Sequence, residues 1–278
     1  MTLTLAATPL GNPGDASPRL KAAIESAEVI AAEDSRRFHR LASDLGVTFT
    51  AKIISFFDGN ESARTQEVLA LLQAGKRVLV VSDAGMPTIS DPGFRLTRDA
   101  IALNIPIVVI PGPSAPTMAL ALSGLATDRF TFEGFLSRSA GARQSHLESL
   151  RFEERTMIFF EAPHRITECL SDAVETFGGD RRAAICREMT KTYEETVRGT
   201  LSELLAWSTS KEILGEITMV IAGVPVGSAA KTAEEMVTRV REFESAGMDR
   251  KDAIATVAKE FDLPKKVVYA AVVDASKS

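Results

Sequence analysis

The run Val78-Leu79-Val80-Val81 passes into Ser82-Asp83-Ala84-Gly85-Met86-Pro87 and then into Ser90-Asp91-Pro92-Gly93. An unbroken apolar run of this length suits a strand buried on both faces of a parallel sheet, and parallel strands need crossover connections, usually helices. Phe94-Arg95-Leu96 opens an amphipathic helix that supplies one. In open α/β sheets ligands sit beyond the carboxyl ends of the strands, so this loop lies where a small molecule binds. Gly85 and Gly93 permit close backbone approach, and Asp83 and Asp91 can accept hydrogen bonds from hydroxyl or amino groups. A turn-rich connection without a ligand has the same composition, so the loop alone leaves both readings open.

The pattern recurs. Leu3 to Thr8 reads as a strand ending in Pro9-Leu10-Gly11-Asn12-Pro13-Gly14-Asp15, and Ser17 caps a helix with Pro18 at its first position. Val29 to Ala32 ends in Glu33-Asp34-Ser35-Arg36-Arg37. Ile53 to Phe57 ends in Asp58-Gly59-Asn60-Glu61, with Asn60 capping a helix through Leu72 that Gly75 closes. Ile105 to Ile110 ends in Pro111-Gly112-Pro113-Ser114-Ala115, before a helix to Gly124. Residues 1–124 therefore predict an α/β domain with a mainly parallel sheet.

Around Leu125-Ala126-Thr127-Asp128 the character changes, and residues 125–224 predict a second α/β domain. Its strands are an aromatic one around Phe130 to Phe135, Met157 to Phe160, Ala183 to Cys186, Val197 to Thr200 and Ile217 to Ala222. Helices are expected between the first two strands, over Ile166 to Phe177 and around Leu204, and the last elements can be mixed or antiparallel. Val224 to Ala230 is a linker of small residues. Residues 229–278 predict a small helical, helix-turn-helix-like domain. Its first helix carries a capping box of Thr232 and Glu235, and Asp249 and Pro264 start the other two.

Composition removes several classes. A formal charge of −5 over 278 residues argues against binding nucleic acid by bulk charge, leaving local patches as the means. Met1-Thr2-Leu3-Thr4 lacks a basic leader, and prolines interrupt the most apolar stretch, Ile101 to Gly124, so a cytoplasmic chain without membrane association is expected. Cys169 and Cys186 lack metal spacing, and His39, His146 and His164 are scattered. Neither a dinucleotide fingerprint, a P-loop nor a nucleophile elbow occurs. What remains is an α/β protein that takes a small polar ligand, with no metal expected.

Seven motifs stand in a fixed order: Thr8-Pro9-Leu10-Gly11-Asn12-Pro13-Gly14-Asp15, Ala32-Glu33-Asp34-Ser35-Arg36, Val81-Ser82-Asp83-Ala84-Gly85-Met86-Pro87, Ile110-Pro111-Gly112-Pro113-Ser114-Ala115, Phe132-Glu133-Gly134-Phe135-Leu136, Phe160-Glu161-Ala162-Pro163-His164-Arg165 and Arg187-Glu188-Met189-Thr190-Lys191. Together they resemble the ribosomal RNA small subunit methyltransferase I family, the cytidine-2′-O-methyltransferase branch of the tetrapyrrole methylase fold. Ser35 and Met86 stand where that family often has Thr. The resemblance covers essentially the whole chain. It implies two α/β domains with S-adenosylmethionine in the cleft between them, a homodimer, and small-subunit rRNA or the 30S particle as partner. Carried over by motif, Leu10, Asp83, Gly85, Met86, Ser114 and Ala115 surround the methionine and ribose, while Phe160, Met189 and the strand end near Ala222 flank the adenine.

Asp34, Glu61, Glu188 and Lys191 are the candidates for a base that takes the hydroxyl proton, with structural ion pairing as the competing role for each. Arg36, Arg37, Arg40, Arg138, Arg143, Arg165 and Lys191 are the expected phosphate contacts, Arg138 and Arg143 within a flexible basic loop. Arg250-Lys251 and Lys265-Lys266 sit at helix starts, where backbone N–H groups also favour phosphate. A small-molecule methylase of the same fold, or a ligand sensor that binds DNA through its tail, are the alternative readings.

Overall fold

The computed structural model describes residues 1–225, 233–261 and 263–276. The first sheet contains β1 (Thr2–Ala6), β2 (Val29–Ala32), β3 (Lys52–Ser55), β4 (Arg77–Val81) and β5 (Ile107–Ile110), in the order β3-β2-β4-β1-β5. Every pairing in it is parallel. Period-two alternation sorts its side chains. Leu3, Leu5, Val29, Ala31, Val78 and Val80 pack with residues of α3 (Glu61–Gln73) and α4 (Phe94–Ala102). Ala6, Ile30, Ala32, Leu79 and Val81 pack with residues of α1 (Pro18–Ser26) and α2 (Ser35–Asp44). The run in β4 is thus covered on both faces, each large side chain contributing about 1.5–3 kcal/mol through burial.

Helix α2 starts inside the polar cluster that follows β2, and it buries only Phe38 and Ala42. Asn60 stands at the start of α3 without capping it: its side chain accepts the Phe57 N–H (3.0 Å) and donates to the Ser55 carbonyl (3.1 Å), closing the preceding turn.

The second sheet contains β6 (Phe130–Phe135), β7 (Thr156–Glu161), β8 (Arg182–Arg187), β9 (Glu195–Thr200) and β10 (Ile217–Ile221), in the order β6-β7-β10-β8-β9. Strands β6 and β7 are parallel; β10 runs antiparallel to β7 and β8, and β9 antiparallel to β8. One face is covered by α6 (Ala140–Ser149), α7 (Ile166–Phe177) and α8 (Leu201–Ser210). The other is covered by α5 (Ala115–Ser123), through Ala119 and Leu120 against Ile158, Cys186 and Val220. By chain α5 follows the first sheet; by packing it belongs to the second.

The tail helices α9 (Ala233–Ser245), α10 (Arg250–Glu260) and α11 (Lys265–Ala275) share a core around Val240, Val257 and Val268, which Phe152 of the second domain joins. Asp249 caps α10 by accepting the Lys251 N–H at 3.1 Å. The expected capping box falls on Thr232, which lies outside the described residues, as does most of the linker before it. Among the described residues no helix is long and apolar enough to cross a membrane.

The basic loop expected over Ser137 to Arg143 turns helical at Ala140, which corrects the role of Arg143. Its side chain is buried, with Nε donating to Asp172 (2.5 Å) and the guanidinium 3.6 Å from Glu168. It is an internal tie between α6 and α7, not a phosphate contact. Arg143→Ala would take the paired cation from the Asp172 carboxylate, leaving it the Gln144 amide at 3.1 Å, and should cost about 3–5 kcal/mol of stability. Urea unfolding would measure this, and combining it with Asp172→Leu should recover much of the loss.

Candidate functional site

The loops at the carboxyl ends of β1, β2, β4 and β5 meet residues of the second domain around a cavity of roughly 400 Å³. An isolated backbone bridge ties two of these loops together: Thr8 N–H donates to the Gly85 carbonyl (2.8 Å) and Gly85 N–H to the Thr8 carbonyl (3.1 Å). Gly85 has φ +83°, and a Cβ there would lie 3.2 Å from Leu10 Cδ2. A side chain would be strained by the backbone and would push Leu10 aside. Leu10, Asp83, Gly85, Met86, Ser114, Ala115, Phe160 and Met189 all line this cavity.

Ala222 does not line it. Because β10 is antiparallel to β7, the start of β10 faces the cavity, and Gly215, Glu216, Ile217 and Thr218 contribute there. Ala222 lies past the other end of the strand, with its N–H donating to the Arg182 carbonyl and its carbonyl accepting from Arg181. Strand direction leaves no mark in an apolar run, so the residue type was legible and its end of the sheet was not. Phe160 packs edge-on to Phe132, with ring centroids 4.9 Å apart, and lies 5.5 Å from Phe135, forming an aromatic wall.

The opposite rim is acidic. Asp83 accepts the Asp34 N–H (3.0 Å) and pairs with Arg37 (3.3 Å), while the Asp83 N–H donates to Glu33 (3.2 Å). Burial raises the proton affinity of both Glu33 and Asp83. Asp34 faces away from this rim. Extended residues alternate sides, so of the neighbours Glu33 and Asp34 one lines the cavity, and it is Glu33.

The four expected bases are all engaged elsewhere. The Asp34 carboxylate caps α2 and bonds the Arg36 guanidinium at 2.8 Å, which holds it far below the usual carboxylate range. Glu61 is only 8% exposed, and its Oε1 accepts the N–H groups of Gly93 (3.0 Å) and Arg95 (3.1 Å), capping α4 from another helix. Lys191 Nζ bonds both Glu188 and Glu216 at 2.9 Å. Partial burial pulls its proton affinity down, but the two carboxylates outweigh that and keep it charged, so it is no neutral base. Burial of Glu188 is likewise outweighed, by Lys191 and the Glu216 N–H, and its carboxyl sits lower than usual. This triad stands where the lobes touch, beside the Asn12 N–H that donates to Thr190 Oγ1 at 3.2 Å.

The Glu61 caps hold a loop of unusual backbone. Thr88 (φ 76°) and Ser90 (φ 60°) both occupy the left-handed region, at a cost of about 1–3 kcal/mol each. Between Ser90 and Pro92 the loop presents Asp91 to the cavity. Burial and the nearby Glu33 carboxylate push the Asp91 carboxyl up to about 7, against a weaker opposing bond from the Ser82 hydroxyl.

The expected phosphate contacts divide. Arg36, Arg37 and Arg40 stand exposed on α2, Arg40 within 3.8 Å of Asp44, and Arg37 reaches the cavity rim. Arg138 is exposed beside the aromatic wall's strand. Arg165 instead turns inward, donating to the Leu136 (2.9 Å) and Ser137 (2.8 Å) carbonyls and lying 3.4 Å from the buried Glu161. It shapes the loop that carries Arg138. Lys265 and Lys266 are exposed and line a tail groove with Arg250, Lys251 and the exposed Tyr269. Among the described residues no cluster of three or more His, Cys, Asp or Glu side chains could hold a metal ion.

Residues 2–205 match the family described as Tetrapyrrole (Corrin/Porphyrin) Methylases. A Mycobacterium tuberculosis protein named ribosomal RNA small subunit methyltransferase I is 50% identical over 258 residues, covering 92% of this chain and 88% of its own. A Synechocystis protein of the same name is 42% identical, covering 96% of this chain and 95% of its own. The fold is shared with a Thermus thermophilus uroporphyrin-III C-methyltransferase solved with S-adenosylhomocysteine, at TM-score 0.56 and 14% identity, over 80% of this chain and 97% of that one. Two sheets meeting at a loop-lined cavity, with this identity along nearly the whole of both chains, make the protein a member of the ribosomal RNA small subunit methyltransferase I family, built on the tetrapyrrole methylase fold.

Proposed function

We propose that the protein transfers a methyl group from S-adenosylmethionine to the 2′-hydroxyl of a cytidine in small-subunit ribosomal RNA. The observation that carries this reading is the extent of the match. Identity to rRNA methyltransferases spans 92–96% of the chain and so includes most of the residues beyond 205, where the general methylase family ends. A small-molecule methylase of the same fold is the second reading, and the fold neighbours favour it.

The residues present fit the methyl donor. The cavity is of the size that takes small ligands. Ser114 begins α5 without a side-chain cap bond, so the helix start suits a carboxylate such as that of methionine. Phe160 and Met189 offer an apolar wall for adenine, and the acidic rim can accept hydrogen bonds from ribose hydroxyls. When bound, the donor supplies an electrophilic methyl on a sulfonium. The chain's own contribution is then to hold donor and hydroxyl in line, worth roughly 7–11 kcal/mol of barrier in favourable cases. Arg37 lies at the cavity rim and on the exposed cationic face of α2, which suits a phosphate chain entering the site. Arg138 and the tail groove of Lys265 and Lys266 extend that contact, so the assembled particle is the substrate of this reading. Exposed Val108 and Val109 of the open edge strand β5, with the exposed Leu103 ahead of it, support a homodimer, and the reading places the enzyme in the cytoplasm with the ribosome.

Calorimetry with S-adenosylmethionine should show saturable binding in the presence of chelator. Gly85→Val, which forces a branched side chain onto φ +83°, should abolish it while circular dichroism stays native. Mass mapping of rRNA after incubation should place one new methyl on a cytidine ribose. Methylation of a porphyrinogen instead would establish the second reading. Arg138→Ala with charge reversal at Lys265 and Lys266 should slow methylation of particles most at low salt, with the gap to wild type narrowing as salt is added, and leave S-adenosylmethionine affinity unchanged.

A further inference from the structure

We propose that Asp91 is the group that accepts the proton of the ribose 2′-hydroxyl during methyl transfer. This rests on the function proposed above and names the base within that site. Five carboxylates line the cavity: Glu33, Asp83, Asp91, Glu161 and Glu216. Four are committed. Glu33 accepts the Asp83 N–H, and Asp83 is bonded to the Asp34 N–H and to Arg37. Glu161 is fully buried, accepting from the Cys169 thiol (2.7 Å) and the Ala162 N–H (2.8 Å), with Arg165 beside it. Glu216 pairs with Lys191. Among the described residues no cation pairs with Asp91, and the Ser82 hydroxyl beside it is shared with the Ala84 and Gly85 carbonyls (3.5 and 3.3 Å).

The surroundings raise its basicity from several sides. Glu33 follows β2, Asp58 follows β3 and Asp83 follows β4, and all three add negative charge around Asp91. Arg37, the α2 cation that lines the cavity, is taken by Asp83. Glu61 on α3 is taken by the backbone of Gly93 and Arg95, and Arg95 itself stands exposed in the first turn of α4. From the second domain the loop meets Gly134, whose absent Cβ would lie 3.7 Å from Ser90 Oγ; the neighbouring Glu133 is occupied by His146 and Thr131. The two left-handed residues Thr88 and Ser90, in a loop whose far end Glu61 holds through Gly93 and Arg95, leave the carboxylate facing the cavity. With its carboxyl held up to about 7, Asp91 is partly ionised at neutral pH and basic when ionised. In the step it serves, the 2′-oxygen bonds to the methyl carbon as the carbon–sulfur bond breaks, and that electron pair stays on sulfur. The hydroxyl proton passes to Asp91 and then to solvent.

The test uses the full-length protein, small-subunit particles and S-adenosylmethionine. Asp91→Asn keeps the shape and cannot take the proton. Its transfer rate should fall at least about 100-fold, while calorimetry gives an unchanged affinity for S-adenosylmethionine. The wild-type rate should rise with pH through about 7 and then level, because only the ionised carboxylate accepts a proton. Asp91→Asn should lose that limb, and Asp91→Glu should recover part of the rate. Wild-type turnover by Asp91→Asn, or a loss that tracks lost S-adenosylmethionine binding, would overturn the assignment. A wild-type protein that methylates no ribose would overturn the function itself and this base with it, an outcome read on the unmodified chain alone.

Discussion

The reciprocal backbone pair between Thr8 and Gly85 sets the geometry on which the cavity depends. Parallel strands end in loops that need not meet, and each loop carries polar backbone that must find partners. Here β1 and β4 are neighbours, and the two hydrogen bonds continue their contact one step past the sheet in antiparallel sense. Thr8 is fully buried, with its hydroxyl donating to the Ser82 carbonyl at 3.2 Å, so the start of the β4 loop is fixed on both sides. Everything downstream in that loop, from Asp83 to Gly93, is placed relative to this point.

The parallel sheet, its order of elements and the loops that carry ligand contacts were legible because they rest on local patterns: apolar period, glycine, proline and caps. Roles of charged residues were less so. Arg138 and Arg143 look alike in sequence, yet one is exposed and the other ties two helices together. Glu61 reads as a polar residue at a strand end, and only the fold shows that its carboxylate caps a different helix. Asp91 was visible as an acceptor in a rich loop, but its isolation from cations depends on Arg37 being claimed by Asp83. Such facts are pairings across long sequence separations, which no window along the chain contains.

Charge at the site is partitioned by those pairings. Along the acidic rim, carboxylates are balanced by backbone N–H groups and by a single guanidinium. Between the lobes, Lys191 is held by two carboxylates. A close approach at Gly11, where a Cβ would overlap the Lys191 stem, lets the loop after β1 lie against this triad. The lobes therefore meet here through packed and hydrogen-bonded contacts.

Helix α5 has a mechanical consequence. Its N-terminal turn borders the cavity at the end of a first-sheet strand, while its body is buried against Ile158 and Val220 of the second sheet. Swinging the sheets apart would have to peel the helix from a close-packed apolar interface, or drag the β5 loop along with it. The helix acts as a rivet rather than a hinge. Traffic into the cavity is then left to the loops around its mouth.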